Sequence, residues 1–212
     1  MRCRDWIEGP GAQKSEDEDD KEGIPTPSLM GALSVLQTHL SHFVPVLEPA
    51  TCVPIYRNIS QGVGKTIVDK IVMAGGAHRF DAGGSKRFKQ DVLQGWLSVI
   101  QDVASATSRS SRAAGLGTGL GRRPDAPWRY LRGVADLLAL PIEPVPEHET
   151  HTEADIAKLK WTLSKSIKAA FEHDENDDVH GWAALSRDFA LPETLTAAIG
   201  REVLRRRIEC RR

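Results

Sequence analysis

Nowhere does the chain run for about 18 apolar residues free of charge, the length a membrane-spanning helix requires. Membrane contact is therefore expected to be peripheral. The stretch Met1 to Pro10 carries charges and Trp6 but lacks the apolar segment of a secretory signal. Cysteine is scarce: Cys3, Cys52 and Cys210 are odd in number, far apart and form no CxxC pair. A disulfide scaffold or a zinc centre needs a tighter pattern, so a reducing compartment is the plain expectation. An excess of one charge is also missing. Lys and Arg number 28 against 29 Asp and Glu, which argues against a nucleic-acid binder and its basic face. Aromatics make up only 6%. Strict apolar–polar alternation, the mark of a half-buried strand, occurs nowhere.

What is present is helical periodicity in a chain of 212 residues, 40% of them hydrophobic, enough for a real core. Residues 1–25 are expected to be disordered, because the run Glu16, Asp17, Glu18, Asp19, Asp20 repels itself and offers nothing to bury. Thr26–Pro27 fits an N-cap followed by proline at the first helical position. Leu29, Leu33, Leu36, Leu40 and Phe43 then form one face, ended by Pro45. A second helix shows Ile55, Ile59, Val63, Ile67 and Ile71 four apart, widened by Val68 and Val72. Pro54 sits near its start and Gly75–Gly76 supply its stop.

Gly83-Gly84-Ser85 opens a third helix whose face is Phe88, Val92, Trp96, Val99 and Val103, with Leu93 and Ile100 beside it. A flexible loop is expected near 105–126, rich in Ser, Gly and Arg. A fourth helix carries Trp128, Leu131, Val134, Leu137 and Leu138 and stops at Pro141. The spacing Pro141, Pro144, Pro146 predicts a linker near 141–151. Thr152 with Asp155 resembles a capping box ahead of Ile156, Leu159, Leu163, Ile167 and Phe171. A polar link, His173 to Asp178, precedes a short helix around Trp182, Leu185 and Phe189. Pro192 starts the last helix, with Leu195, Ile199, Val203 and Leu204 inside. The fold class is all-α, a compact helical bundle without coiled-coil heptads.

Several stretches imitate ligand motifs. Gly62-Val63-Gly64-Lys65-Thr66 suggests a phosphate loop, but the first glycine of that motif would fall at Ile59, and a helical stripe runs through the segment instead of a strand. Gly115, Gly117, Gly119 and Gly121 alternate, yet the third glycine of a dinucleotide fingerprint would be Leu120 or Arg122. His148 and His151, with Glu147, Glu149 and Glu153, lie in a proline-spaced link that fixes no metal geometry. Counted from Asp174, the glycine and glutamate positions of a calcium loop are Val179 and Leu185. No Gly-x-Ser-x-Gly elbow occurs, and Cys52 reads as packed, not reactive. Asn58-Ile59-Ser60 is a formal glycosylation sequon, unused in a cytosolic protein. The sequence thus points to no catalytic, cofactor or metal residue. The arginines 201, 205, 206, 207, 211 and 212 make one dense positive patch. It reads chiefly as a solvated helix C-terminus, and secondarily as a dock for an acidic partner or anionic lipid.

Four segments in order resemble the C-terminal region of the RINT/TIP family, helical tethers of the endoplasmic reticulum in the Dsl-type (NRZ) complex. In Val53-Pro54-Ile55-Tyr56-Arg57-Asn58-Ile59 the matching pair is Tyr56 and Arg57. In the segment from Gly83 to Val92, Gly84, Phe88 and Asp91 match, while Arg87 stands where the family often has glutamine. The segment from Leu131 to Pro141 offers Leu137, Leu138, Leu140 and Pro141, and the closing element contributes Leu204 and Arg206. The resemblance covers about residue 53 to the end and leaves the acidic N-terminus and the 105–126 loop unplaced.

The resemblance implies a RINT/TIP-like C-terminal helical domain over 26–212, part of a rod-like multisubunit vesicle tether. The family proteins are much longer, so the chain corresponds to a portion of one, without the region that contacts the other tether subunit. It implies a non-catalytic role in Golgi-to-endoplasmic-reticulum retrograde transport, where such tethers help capture coat-protein-I vesicles. The implied partners are endoplasmic-reticulum SNARE proteins and other tether-complex subunits, and the implied location is the cytosolic face of that membrane. The matching residues read as structural. An unrelated helical scaffold or adaptor module is the alternative. The first helix, Leu29 to Phe43, is the one expected to lose a neighbour that a longer tether would supply.

Overall fold

The computed structural model describes residues 24–74, 79–113, 120–144, 157–172, 177 and 179–211. Their secondary structure is helical, with no β-strand among them and a single parallel bridge between Phe80 and Arg207. Helix α1 (Pro27–Val46) begins at Pro27 as expected, and Leu29, Leu33, Leu40 and Val44 turn inward. Pro45 lies inside its last turn, so the helix runs one residue past the predicted stop.

Helix α2 (Pro49–Ile67) starts earlier than predicted, with Pro49 rather than Pro54 in its first turn, and continues as a π-helical turn over Val68–Val72. Its inner face also differs. Ile55 and Ile59 are exposed, at 36% and 51%, and Cys52, Tyr56, Ser60 and Gly64 are buried in their place, while Ile67, Val68 and Val72 of the predicted stripe are buried as expected. This face meets α5: a Cβ at Gly64 would sit 3.6 Å from Leu131 Cβ, an ordinary contact. Gly75 and Gly76 lie outside the described residues.

Helix α3 (Ala82–Gln90) is capped by Asp81, whose Oδ1 accepts from Gly84 N at 2.6 Å. It passes through a π-helical stretch (Asp91–Leu97) into α4 (Ser98–Ala113). The predicted face holds, with Phe88, Val92, Trp96, Ile100 and Val103 buried. The flexible loop does not begin at 105, since α4 continues to Ala113. Nothing before Gly115 breaks a helix, and the alanines and arginines there are good helix formers. A loop does carry Gly121, at φ 82, into the turn that precedes α5.

Helix α5 (Arg129–Leu138), entered through a 3-10 turn at Ala126–Trp128, is the hub. Leu131, Gly133, Val134, Ala135, Asp136, Leu137 and Leu138 are all buried, as in a helix surrounded by neighbours. It packs against α2, α3 and the last helix, while α1 lies on α4. The first helix thus has a partner within the chain, while Met30, Val35 and Val46 stand exposed on it.

Of the 141–151 linker, residues 141–144 are described and have no regular structure; the rest, like Thr152 and Asp155, lies outside the described residues. The helix expected behind Thr152 is interrupted at Lys160–Thr162. Helix α6 (Leu163–Phe171) starts anew under Thr162, whose hydroxyl accepts from Lys165 N at 3.3 Å. The restart is tied to the end of α5, because Leu163 N donates to Pro141 O at 2.8 Å. Helix α7 (Trp182–Asp188) falls where predicted.

The last helix, α8 (Ala197–Leu204), starts later than Pro192. Ala190 takes a left-handed φ of 49 that closes α7. Pro192 to Leu195 then form a turn, Leu195 N donating to Pro192 O at 2.8 Å, which tucks Leu195 into the core. Thr196 caps instead. The acidic run at 16–20 and most of the 173–178 link lie outside the described residues.

Candidate functional site

The residues singled out from the sequence serve mostly as packing and joints. Tyr56 is 1% exposed. Its hydroxyl donates to Pro124 O at 2.5 Å and accepts from Trp128 Nε1 at 3.0 Å. This phenol fastens α2 to the turn before α5, and Trp128 in turn stacks on Trp96 with ring centres 5.8 Å apart. Burial pushes the Tyr56 hydroxyl above its ordinary value, opposed by the Trp128 hydrogen bond. Tyr56→Phe leaves a buried indole N–H and a carbonyl without a partner, and is expected to cost about 2 kcal/mol in urea denaturation. Arg57, the next residue, is exposed.

Phe88 packs against Phe80, ring centres 5.7 Å apart, and Gly84 is half-buried in the first turn of α3. Asp91 is a 1%-exposed carboxylate at the start of the π-helical stretch. Its Oδ1 accepts from Thr26 N at 2.7 Å and its Oδ2 from Thr26 Oγ1 at 2.5 Å. Arg87 Nε donates to the same Thr26 hydroxyl at 2.9 Å and lies 3.9 Å from Asp91 Oδ1. Thr26 therefore spends its side chain on Asp91 instead of capping its own helix, and Asp91 docks the start of α1 onto α3 and α4. Asp91→Ala is expected to cost about 3 kcal/mol. Hydrogen exchange should show the loss first at the N-terminal turn of α1, with Asp91→Asn intermediate.

Leu137, Leu138, Leu140 and Leu204 are buried, and Pro141 is half-buried. These residues meet the C-terminal arginines, where the structure corrects the sequence reading. Arg207 is 1% exposed. Its Nη1 donates to Leu138 O at 2.5 Å and to Leu140 O at 3.2 Å, and its Nε donates to Glu209 Oε2 at 2.9 Å. It thus closes the open carbonyl end of α5. Arg206, half-buried, donates from Nη2 to Met73 O at 3.2 Å. Arg201 Nε donates to Ala170 O at 2.5 Å, and Arg205 sits 5.1 Å from the centre of the Phe171 ring while pairing with Glu202.

The described arginines of the run therefore do not form one free basic face: Arg207 is tied to the end of α5, Arg206 to Met73, and Arg201 and Arg205 to the end of α6, with Arg205 still exposed. The backbone joins in: Phe80 N donates to Arg206 O at 2.8 Å and Ile208 N to Phe80 O at 2.9 Å. Arg207 lies beyond the end of α8, and its place is fixed by the bridge to Phe80.

Burial alone would raise the Glu209 carboxyl, but the hydrogen bond and charge of Arg207, together with backbone hydrogen bonds from Glu209 itself and Ala82, leave a net lowering. A carboxyl lowered in the folded state adds stability above its unfolded pKa and loses it as pH falls through the folded one. Glu209→Gln is therefore expected to flatten the acid limb of a urea-midpoint profile between about pH 5 and 3. An unchanged limb would mean the pair contributes nothing.

Buried Asp136 and half-buried Asp188 are two further acids beside apolar residues of their helices. Asp136 on α5 is held by Lys89 Nζ at 2.8 Å. Asp188 Oδ2 takes both Trp161 Nε1, at 2.6 Å, and Lys160 Nζ, at 2.7 Å. Cys52 is packed as expected, and burial raises its thiol.

Gly62 to Thr66 lie inside α2, with Thr66 Oγ1 donating to Gly62 O at 2.8 Å, so the segment forms no phosphate loop. His148, His151 and the glutamates beside them lie outside the described residues. Among the described residues, no group of three or more His, Cys, Asp or Glu is placed to hold a metal ion, and no helix is long and apolar enough to cross a membrane.

Comparison with protein-family models, with curated proteins and with solved structures finds no significant match. Function must be argued from these residues.

Proposed function

We propose that the chain is a non-catalytic, helical portion of a vesicle-tethering subunit of the RINT/TIP type, acting in Golgi-to-endoplasmic-reticulum retrograde transport. It works by binding endoplasmic-reticulum SNARE proteins and other tether-complex subunits at the cytosolic face of that membrane. What carries the reading is the ordered set of family-like residues together with the work they do. Tyr56, Phe88, Asp91, Leu137, Leu138, Leu140 and Leu204 are buried, and several make joints between helices distant in sequence. A tether needs this kind of stiffness, with force passing through cross-linked helices rather than through a pocket.

A second observation favours a helical partner. Ile55 and Ile59 stand exposed one turn apart on α2, with Gly62 next on the same strip and nothing within 4 Å of its missing Cβ. Such an apolar strip accepts the apolar face of another amphipathic helix.

The test is affinity capture from detergent extract of endoplasmic reticulum with the purified chain, wild-type and Ile55→Asp/Ile59→Asp, followed by mass spectrometry. Recovery of the endoplasmic-reticulum SNAREs or tether subunits by the wild-type chain, and their loss with the variant, is the expected result. Failure to recover either class overturns the tether reading in favour of an unrelated helical scaffold or adaptor.

A further inference from the structure

A cleft of about 390 Å³ opens beside the N-terminal half of α5, between the turn that leads into it and the corner joining α7 to α8. That volume is in the range of small-molecule sites. Its charged lining is Arg123, Arg129, Arg132 and Lys158 against Asp125 and Asp136. Asp136 is already engaged by Lys89 Nζ at 2.8 Å from outside the cleft, while Arg132 Nε stands 3.9 Å from it. Arg132 thus shares Asp136 with Lys89, and Arg123, Arg129 and Lys158 face Asp125 as the other carboxylate of the lining. Arg123 and Lys158 have no ion-pair partner among the described residues. Arg129 is held at the mouth by donating from Nη2 to Ala190 O at 3.1 Å.

In a chain with net charge near zero, gathering like charges around one concavity costs self-repulsion, and an anion relieves it. The planar guanidinium fork suits phosphate oxygens, and several such forks suit several phosphates. An isolated monoanion would gain less, since Asp125 repels it at the same wall.

We propose that this cleft binds clustered phosphate groups, carried either by a free polyphosphorylated small molecule or by the headgroup of a phosphorylated lipid. The proposal is independent of the tether reading: it rests on side chains that reading does not use, and SNARE capture bears on neither its success nor its failure.

The test is calorimetric titration of the whole chain with inositol trisphosphate and with pyrophosphate. It is paired with flotation on phosphatidylcholine vesicles carrying either phosphatidylinositol bisphosphate or phosphatidylserine at equal total charge. The comparison variant is Arg123→Glu/Lys158→Glu, two rim residues whose replacement leaves the core untouched, checked by circular dichroism and thermal melting. The wild-type chain is expected to bind inositol trisphosphate saturably, one to one, and the variant at least about tenfold more weakly. Flotation with the bisphosphate lipid and not with phosphatidylserine assigns the lipid as the source. Saturable binding of the free compound without flotation assigns a soluble ligand. No saturable binding, equal flotation on both vesicles, or affinity unchanged in a folded variant overturns the proposal.

Discussion

Replacing Arg207 by alanine is expected to lower the free energy of unfolding by about 4 kcal/mol, a large share of what a domain of this size possesses. The guanidinium is 1% exposed and its Nη1 serves Leu138 O and Leu140 O together. Those carbonyls end α5, the helix on which α2, α3 and α8 pack. Alanine strips both of their donor, leaves Glu209 without its partner and opens a cavity where the arginine stem lay. Arg207→Lys should recover only part of the loss, since one ammonium cannot satisfy two carbonyls and a carboxylate in the fork's geometry. Arg207→Met should recover the packing and none of the hydrogen bonds. Urea denaturation followed by far-ultraviolet circular dichroism measures all three. An alanine variant within about 1 kcal/mol of wild type would mean that water replaces the guanidinium and that the joint is dispensable.

Gly200→Ala is the second large effect. A Cβ at this position would fall 2.1 Å from Trp182 Cη2 and 2.4 Å from its Cζ3. Trp182 is 7% exposed and α8 lies against α6 here, so the ring cannot simply swing away. Either the indole leaves its pocket or α8 shifts, at a cost of about 3 kcal/mol. Near-ultraviolet circular dichroism should change with stability, because it reports tryptophan packing.

Gly62→Ala is the matched control. Gly62 also sits inside a helix, but nothing lies within 4 Å of the added methyl. It should stabilise the protein by about 1 kcal/mol through helix propensity alone. If both variants destabilise equally, steric contact is not the cause.

These cases show where a sequence reading stops. The run from α3 through the π-helical stretch was legible because Phe88, Val92 and Trp96 are large, apolar and regularly spaced, and all three are buried. Helix α2 misled for the opposite reason. Ile55 and Ile59 are the more hydrophobic, yet α5 and the turn before it sit against the row of Tyr56 and Gly64, where the Tyr56 hydroxyl meets Pro124 O and Trp128 Nε1. Arg207 and Asp136 were hidden because burial of a charge depends on its partner, and the partners Leu138 O and Lys89 come from elsewhere in the chain. The cleft was invisible for the same reason. Arg123, Arg132 and Lys158 are unremarkable in the sequence, and only the packing of α5 beside the turn at Ala190 sets them around one hollow.

By itself the sequence determined that the chain is helical, roughly where most helices lie, and which apolar faces α1, α3–α4 and α5 bury. Periodicity and capping are local, and the hydrophobic effect acts on them without regard to the rest of the chain. Tertiary structure alone decided which side of the first part of α2 faces inward, that Asp91 serves α1, that Arg201, Arg206 and Arg207 tie neighbouring elements together, and where cations converge. Each of these turns on pairing between residues distant in sequence, and the energy of a buried polar group is set by what it meets, not by what it is.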